Sequence, residues 1–145
     1  DDELGVFPDY EAFCAASGKR LCGRIGGGPL LNVTNPTTSE LLHVCTAGGT
    51  QGYPYGSHYD PNLCNAGKGL SGATWPTGER CEGPTGVYDL VGNVAEWINS
   101  CRPDGACPFT GGNWLDGTDC YVDYFPNKKE LQSSAIGIRC CRDSS

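Results

Sequence analysis

Histidine is nearly missing from this 145-residue chain, which has only His43 and His58. No pair of cysteines stands at the short C-x-x-C spacing that zinc modules use, and the adjacent Cys140 and Cys141 are poorly placed to serve one tetrahedral ion. A cysteine-rich zinc module is therefore not expected. Basic clusters are also lacking: 10 lysines and arginines face 17 acidic residues, for a net charge of −7. This removes the electrostatic footprint of a nucleic-acid binder. No apolar run approaches the roughly 18 residues of a membrane span, so none is expected. No signal peptide is visible, and Asp1 reads as a processed start. Without an internal repeat, a low-complexity tail or a linker, residues 1–145 are expected to form one domain of ordinary size.

What the chain does have is ten cysteines and 22 glycines, with 38% hydrophobic residues. That balance favours short elements joined by many turns over long amphipathic helices. An even cysteine count at this density suits an oxidising compartment, where disulfides supplement core burial. The expected location is thus secreted or cell-surface. An acidic surface fits solubility, a cation ligand or a basic partner.

Along the chain, Pro8 and Asp9 open a first helix, with Tyr10, Phe13 and Cys14 on one face and Gly18 closing it. Residues 23–35, with Gly26-Gly27-Gly28-Pro29 in the middle, read as a loop. It contains the glycosylation sequon Asn32-Val33-Thr34, usable in a eukaryotic secretory route. Thr37 and Glu40 form a Thr-x-x-Glu capping box for a second helix that Cys45 and Gly48-Gly49 end. The chain is then turn-rich to about Lys68, through Tyr53-Pro54-Tyr55-Gly56 and Asp60-Pro61-Asn62. Short strands are expected near 86–90, 94–98 and 135–141.

The most informative stretch runs from Gly86 to Trp97, Gly-Val-Tyr-Asp-Leu-Val-Gly-Asn-Val-Ala-Glu-Trp. It sets two carboxylates, Asp89 and Glu96, around a Gly92-Asn93 turn. Hard cations such as calcium take carboxylate and carbonyl oxygens from a sharply bent loop of this kind. The alternative is a plain turn between two strands, with Tyr88, Leu90, Val94 and Trp97 as core.

This stretch resembles the G-x-Y-D-M-x-G-N-V-x-E-W signature of the formylglycine-generating enzymes and their sulfatase-modifying-factor relatives. Further likenesses follow in the same order. Ala12-Phe13-Cys14 and Gly18-Lys19-Arg20-Leu21 resemble the family's first helix and turn, and Thr37 to Cys45 its next helix, displaced by an insertion of about a dozen residues. Tyr53-Pro54-Tyr55-Gly56, Asn65, Gly111-Gly112-Asn113-Trp114 and Ile136-Gly137-Ile138-Arg139-Cys140 stand where the family has comparable motifs. The likeness spans about residues 9 to 141.

The resemblance implies an α+β, C-type-lectin-like fold of the sulfatase-modifying-factor subclass, disulfide-rich and low in regular structure. It implies structural calcium on the Asp89 and Glu96 side chains and the Gly92 and Val94 carbonyls. A second calcium site would begin at Asn65 and the Ala66 carbonyl, but its downstream ligands are not recognisable between Gly67 and Thr77. By the same likeness Cys14 pairs with Cys140 and Cys45 with Cys120. Proximity suggests Cys101–Cys107 and Cys64–Cys81, which leaves Cys22–Cys141; exchanging Cys140 and Cys141 stays open.

Formylglycine generation needs two thiolates for copper(I), a soft metal that selects sulfur. The corresponding positions fall on Asp116 and Tyr121, so the resemblance comes without the catalytic pair and copper is not expected. Cys120 lies one position off, and such a slip on a strand turns the side chain to the other face. Iron-dependent sulfoxide synthases of the same fold need three histidines, which are not available. A hydrolase is unsupported too, because no motif pairs a nucleophile with histidine. The expected function is a calcium-stabilised, non-catalytic binding domain for a glycan or protein ligand. Its expected face carries Trp97, Asn99, Trp114, Asp116, Asp119, Tyr121 and Tyr124, an aromatic and polar mixture suited to sugar stacking or protein recognition. The sugar-binding triads Glu-Pro-Asn and Gln-Pro-Asp do not occur, and both tryptophans could instead be core. Two alternatives are a copper-dependent formylglycine-generating oxidase and a self-assembling extracellular structural protein. The latter would use tyrosine-rich turns for contacts between copies.

Overall fold

In the computed structural model, which describes residues 10–67, 73–103, 107–115, 117–121, 123–124 and 136–143, helix α1 covers 10–16. It ends at Gly18, whose φ of 71° lets the Lys19 amide bond back to the Cys14 carbonyl at 2.9 Å. Cys14 is fully buried and Tyr10 half-buried, four residues apart on one face. Phe13 departs from the expected face: on the flank of that stripe, it is 66% exposed.

Strand β1 (Arg20–Leu21) follows, then helix α2 (Glu40–Cys45). The second helix starts later than the Thr37 capping box requires. Asn35 Oδ1 accepts from the Thr37 amide and hydroxyl at 2.9 and 2.7 Å, so this local turn captures Thr37. Ser39 becomes the N-cap, accepting from Leu42 N at 3.3 Å. Glu40 then sits in the first turn, free to reach Arg20 and the Gly23 amide.

The expected strand over 86–90 is absent. A 3₁₀ turn, Pro84–Gly86, and an isolated bridge between Glu82 and Tyr88 take its place. Thr85, Gly86 and Asp89 have φ of 59°, 75° and 57°, which extended backbone does not tolerate. Beyond it come β2 (Ala95–Trp97), β3 (Phe109–Thr110), β4 (Asp123–Tyr124), β5 (Ile136–Ile138) and β6 (Cys140–Cys141). Four of these form a sheet in the order β4-β3-β2-β5, in which β2 and β5 run parallel. The pair β1-β6 is separate and antiparallel, with Leu21 opposite Cys140 and Arg20 opposite Cys141.

Side chains alternate along a strand, so Cys140 and Cys141 project to opposite faces of β6. Each belongs to a different apolar cluster. Cys140 packs with Cys14, Leu21, Trp97 and Phe109. Cys141 packs with Cys22, Leu41, Leu90 and Ile98. The bridges Cys14–Cys140 and Cys22–Cys141 follow these faces, and the exchanged pairing is not the one adopted. The other bridges are Cys45–Cys120, Cys64–Cys81 and Cys101–Cys107. Together these are the disulfides of an oxidising compartment. Among the described residues, no helix is long and apolar enough to cross a membrane.

Candidate functional site

The turn between the two carboxylates is built on backbone that L-residues seldom adopt. Gly92 has φ of 77°, and a Cβ there would lie 2.5 Å from the Asn65 carbonyl oxygen. Only glycine permits that approach. Asn93, at φ 60°, ties three segments together. Its amide donates to Asn65 O at 2.8 Å, its side chain exchanges two hydrogen bonds with the Trp75 backbone, and its carbonyl accepts from Trp114 N at 3.1 Å. Asn65 is 1% exposed and its side-chain amide donates to Ala73 O at 2.8 Å. These bonds make the 65, 75, 92 and 114 segments one polar hub.

Glu96 projects from β2, 7% exposed, and meets Arg139, which follows β5. Arg139 Nε donates to both carboxylate oxygens at 3.0 and 2.9 Å, and Nη2 donates to Oε1 at 2.7 Å. Nη2 also donates to the Tyr88 carbonyl at 2.8 Å, which draws the start of the signature onto the pair. Burial pushes the Glu96 carboxyl above its ordinary range, opposed by Arg139. Burial alone would lower the Arg139 pKa, but the Glu96 and Asp89 carboxylates outweigh it and leave it raised. Asp89 is also 7% exposed; its Oδ2 accepts from Gly78 N at 2.8 Å, while Oδ1 is buried without a partner. Its carboxyl is shifted up, mainly by burial and against the Gly78 bond and the Arg139 charge.

This donor set meets a hard cation halfway. Asp89 Oδ1 is a buried oxygen with no hydrogen bond of its own, although the Arg139 charge and the Trp75 side chain both favour its ionised form, and the Gly92 and Val94 backbone lies on the same turn. Glu96, in contrast, already has its charge answered by Arg139. Among the described residues no group of three or more His, Cys, Asp or Glu side chains is gathered as a metal would need.

Copper(I) fits less well. All ten cysteines are bridged and none is free, so no thiolate is offered. Cys120 is bonded to Cys45. Of the two residues that the resemblance sets at the thiolate positions, Tyr121 is 40% exposed and Asp116 lies outside the described residues.

The expected binding face is only partly assembled. Trp97 is not on it: fully buried, it meets Phe109 edge-on at 5.5 Å and Tyr10 at 6.3 Å. Asn99 is held by its backbone between Cys22 O and Leu30 N. Trp114 is half-buried beside Asn93, with its indole Nε1 buried and unpaired. Asp119 Oδ1 accepts from Tyr121 N at 2.8 Å in a local turn. Tyr124 lies in β4, its side chain outside the described residues. One aromatic group had no place in the expected face. Tyr53 stacks on Tyr55 at 5.5 Å and meets Tyr59 at 5.9 Å, and the Cys120 amide bonds to Gly52 O at 2.9 Å, bringing Tyr121 toward that loop. Arg139 was missed as a partner of Glu96. Their separation of 43 residues leaves no local signal, and only the motif around Arg139 marked it.

Comparison with known proteins bears directly on this geometry. Inactive C-alpha-formylglycine-generating enzyme 2 of Bos taurus is 27% identical over 91% of this chain, and that of Mus musculus 28% over the same share. The chain spans about half the length of these curated relatives, 46% of each. A solved structure, that of CarF, covers 94% of this chain and 63% of its own, with a TM-score of 0.53 at 20% identity, a likeness of fold alone. The family model for the sulfatase-modifying factor enzyme 1-like domain matches residues 6–144, nearly the whole chain, and the chain belongs to that family.

Proposed function

We propose that residues 1–145 form one secreted, calcium-stabilised, non-catalytic domain that binds a glycan or a protein ligand. The observation that carries this reading is the pairing of all ten cysteines, which leaves no thiolate where the family's copper chemistry needs two. The relatives named inactive are in keeping with it. The fold is read as the C-type-lectin-like subclass, whose rigid scaffold presents loops for recognition. Calcium is assigned to Asp89, Gly92, Val94 and Glu96, supported by the orphaned Asp89 Oδ1, with a weaker second site starting at Asn65. The ligand face is assigned to Trp114, Asp116, Asp119 and Tyr121, extended by the Tyr53, Tyr55 and Tyr59 cluster. Rigid aromatic surface beside polar groups binds at small entropic cost.

Metal content and free thiols measured on one purified sample, followed by copper(I) and calcium titration, test the scaffold. Bound calcium, zero thiols and no copper uptake are expected. Two reactive thiols with tight copper(I) binding would restore the oxidase. A glycan array and a binding screen against extracellular proteins then test the face, and Tyr121→Ala should remove the signal found.

A further inference from the structure

A cleft of about 520 Å³ opens between helix α2, strand β6 and the segment leading into Asp89. It is separate from the aromatic face and independent of the glycan reading. Its walls are largely aliphatic, with Ile25, Leu41, Val44, Val87 and Leu90 lining it; among the described residues one ring joins them, the His43 imidazole, whose Nδ1 is tied to the Pro36 carbonyl at 2.9 Å. The volume lies within the range of small-molecule sites, about 300–1,000 Å³. The charges at its edge are unequal in an informative way. Glu40 is held by Arg20, and Arg139 by Glu96. Arg142 also lines the cleft, is exposed, and makes no ion pair among the described residues. The lining therefore joins an apolar trough to two residues already ion-paired and to Arg142, whose chain neighbour Asp143 is engaged by Arg20.

We propose that this cleft binds a straight-chain aliphatic carboxylate, its hydrocarbon along Leu41, Val44 and Val87 and its head group on Arg142. The aliphatic lining favours a flexible alkyl body over a planar ring, which would gain from aromatic stacking. The unpaired guanidinium matches a carboxylate in charge and in its planar fork. Arg20 holds Glu40 at 2.6 and 2.8 Å and Asp143 at 2.6 Å, so both carboxylates are turned to that guanidinium rather than to the head group.

Calorimetry with hexanoate, octanoate and decanoate below their micellar concentrations tests the assignment on the whole chain, with decan-1-ol as the uncharged comparator. One saturable site is expected, with affinity rising about fourfold per added methylene. Arg142→Glu should weaken decanoate roughly tenfold or more and leave decan-1-ol unchanged. Val44→Trp should fill the trough and abolish both. If that variant folds poorly, Val87→Phe with amide NMR shifts mapped on the wild type replaces it, and shifts should fall around Val44 and Val87. Affinity indifferent to chain length, an Arg142→Glu variant that binds decanoate normally, or shifts confined to other surfaces would each overturn the proposal.

Discussion

Arg20 and Arg139 hold their glutamates in nearly the same way, but in different surroundings. Arg20 bonds Glu40 at 2.6 and 2.8 Å and reaches the exposed Asp143 at 2.6 Å, joining β1, α2 and the C-terminal segment. Arg139 bonds Glu96 at 2.7 to 3.0 Å and the Tyr88 carbonyl at 2.8 Å, joining the signature turn to the last strands. The two arginines are alike, 23% and 25% exposed, and Glu40 and Glu96 are 16% and 9% exposed; Asp143, at 62%, is the partner in water. Contact geometry is therefore a poor guide to what each pair is worth. Solvent decides, because removing one partner of a buried pair strands a charge that water cannot reach.

The sharpest way to break this comparison is Glu96→Ala. It should destabilise the chain by about 3 kcal/mol in urea denaturation, the cost of taking the carboxylate from a half-buried arginine. Glu96→Leu combined with Arg139→Met should recover most of that loss, since a well-packed apolar pair removes both desolvation costs. Glu40→Ala should cost less, about 1.5–3 kcal/mol, because it removes charged hydrogen bonds to Arg20 and to the Gly23 amide that water can partly replace.

A pH series sharpens the contrast. The carboxyls of Asp89 and Glu96 are both raised by burial, so the folded state holds their protons more tightly than the unfolded chain does. In the metal-free chain the contribution of these two groups to stability should be greatest below the ordinary carboxylate range, about pH 4. It should fall as pH rises through the folded-state values and then level off. Glu96→Gln should flatten that slope in thermal melts. The smallest effect is expected of Asp143→Asn: below about 0.5 kcal/mol and vanishing in 1 M salt.

Much of the molecule was legible because its signals are local. The end of α1 at Gly18 follows from the freedom of glycine to take positive φ, and strands near 94–98 and 135–141 from their apolar runs. The Gly92-Asn93 turn was legible for the same reason. Where two local preferences competed, the reading failed. Thr37 could cap a helix or bond to Asn35, and the nearer Asn35 turn won. The 86–90 stretch has strand composition, but positive φ at Gly86 and Asp89 breaks it. Trp97 suits a core better than a binding surface, as large aromatics do, and packing between Phe109 and Tyr10 places it inside.

By itself the sequence determined the chemistry: an even set of cysteines that calls for an oxidising compartment, a turn that only glycine can make, and two carboxylates placed around it. The tertiary structure decided who meets whom. Cys14 and Cys140 are 126 residues apart, and Cys22 and Cys141 are 119 apart. Their pairing rests on the pleat of β6 and its register with β1, which no local window contains. Glu96 gained Arg139, and Arg142 stands beside an apolar cleft with no ion pair among the described residues, for the same reason. Burial and counter-charge are properties of the assembled neighbourhood, not of residues taken along the chain.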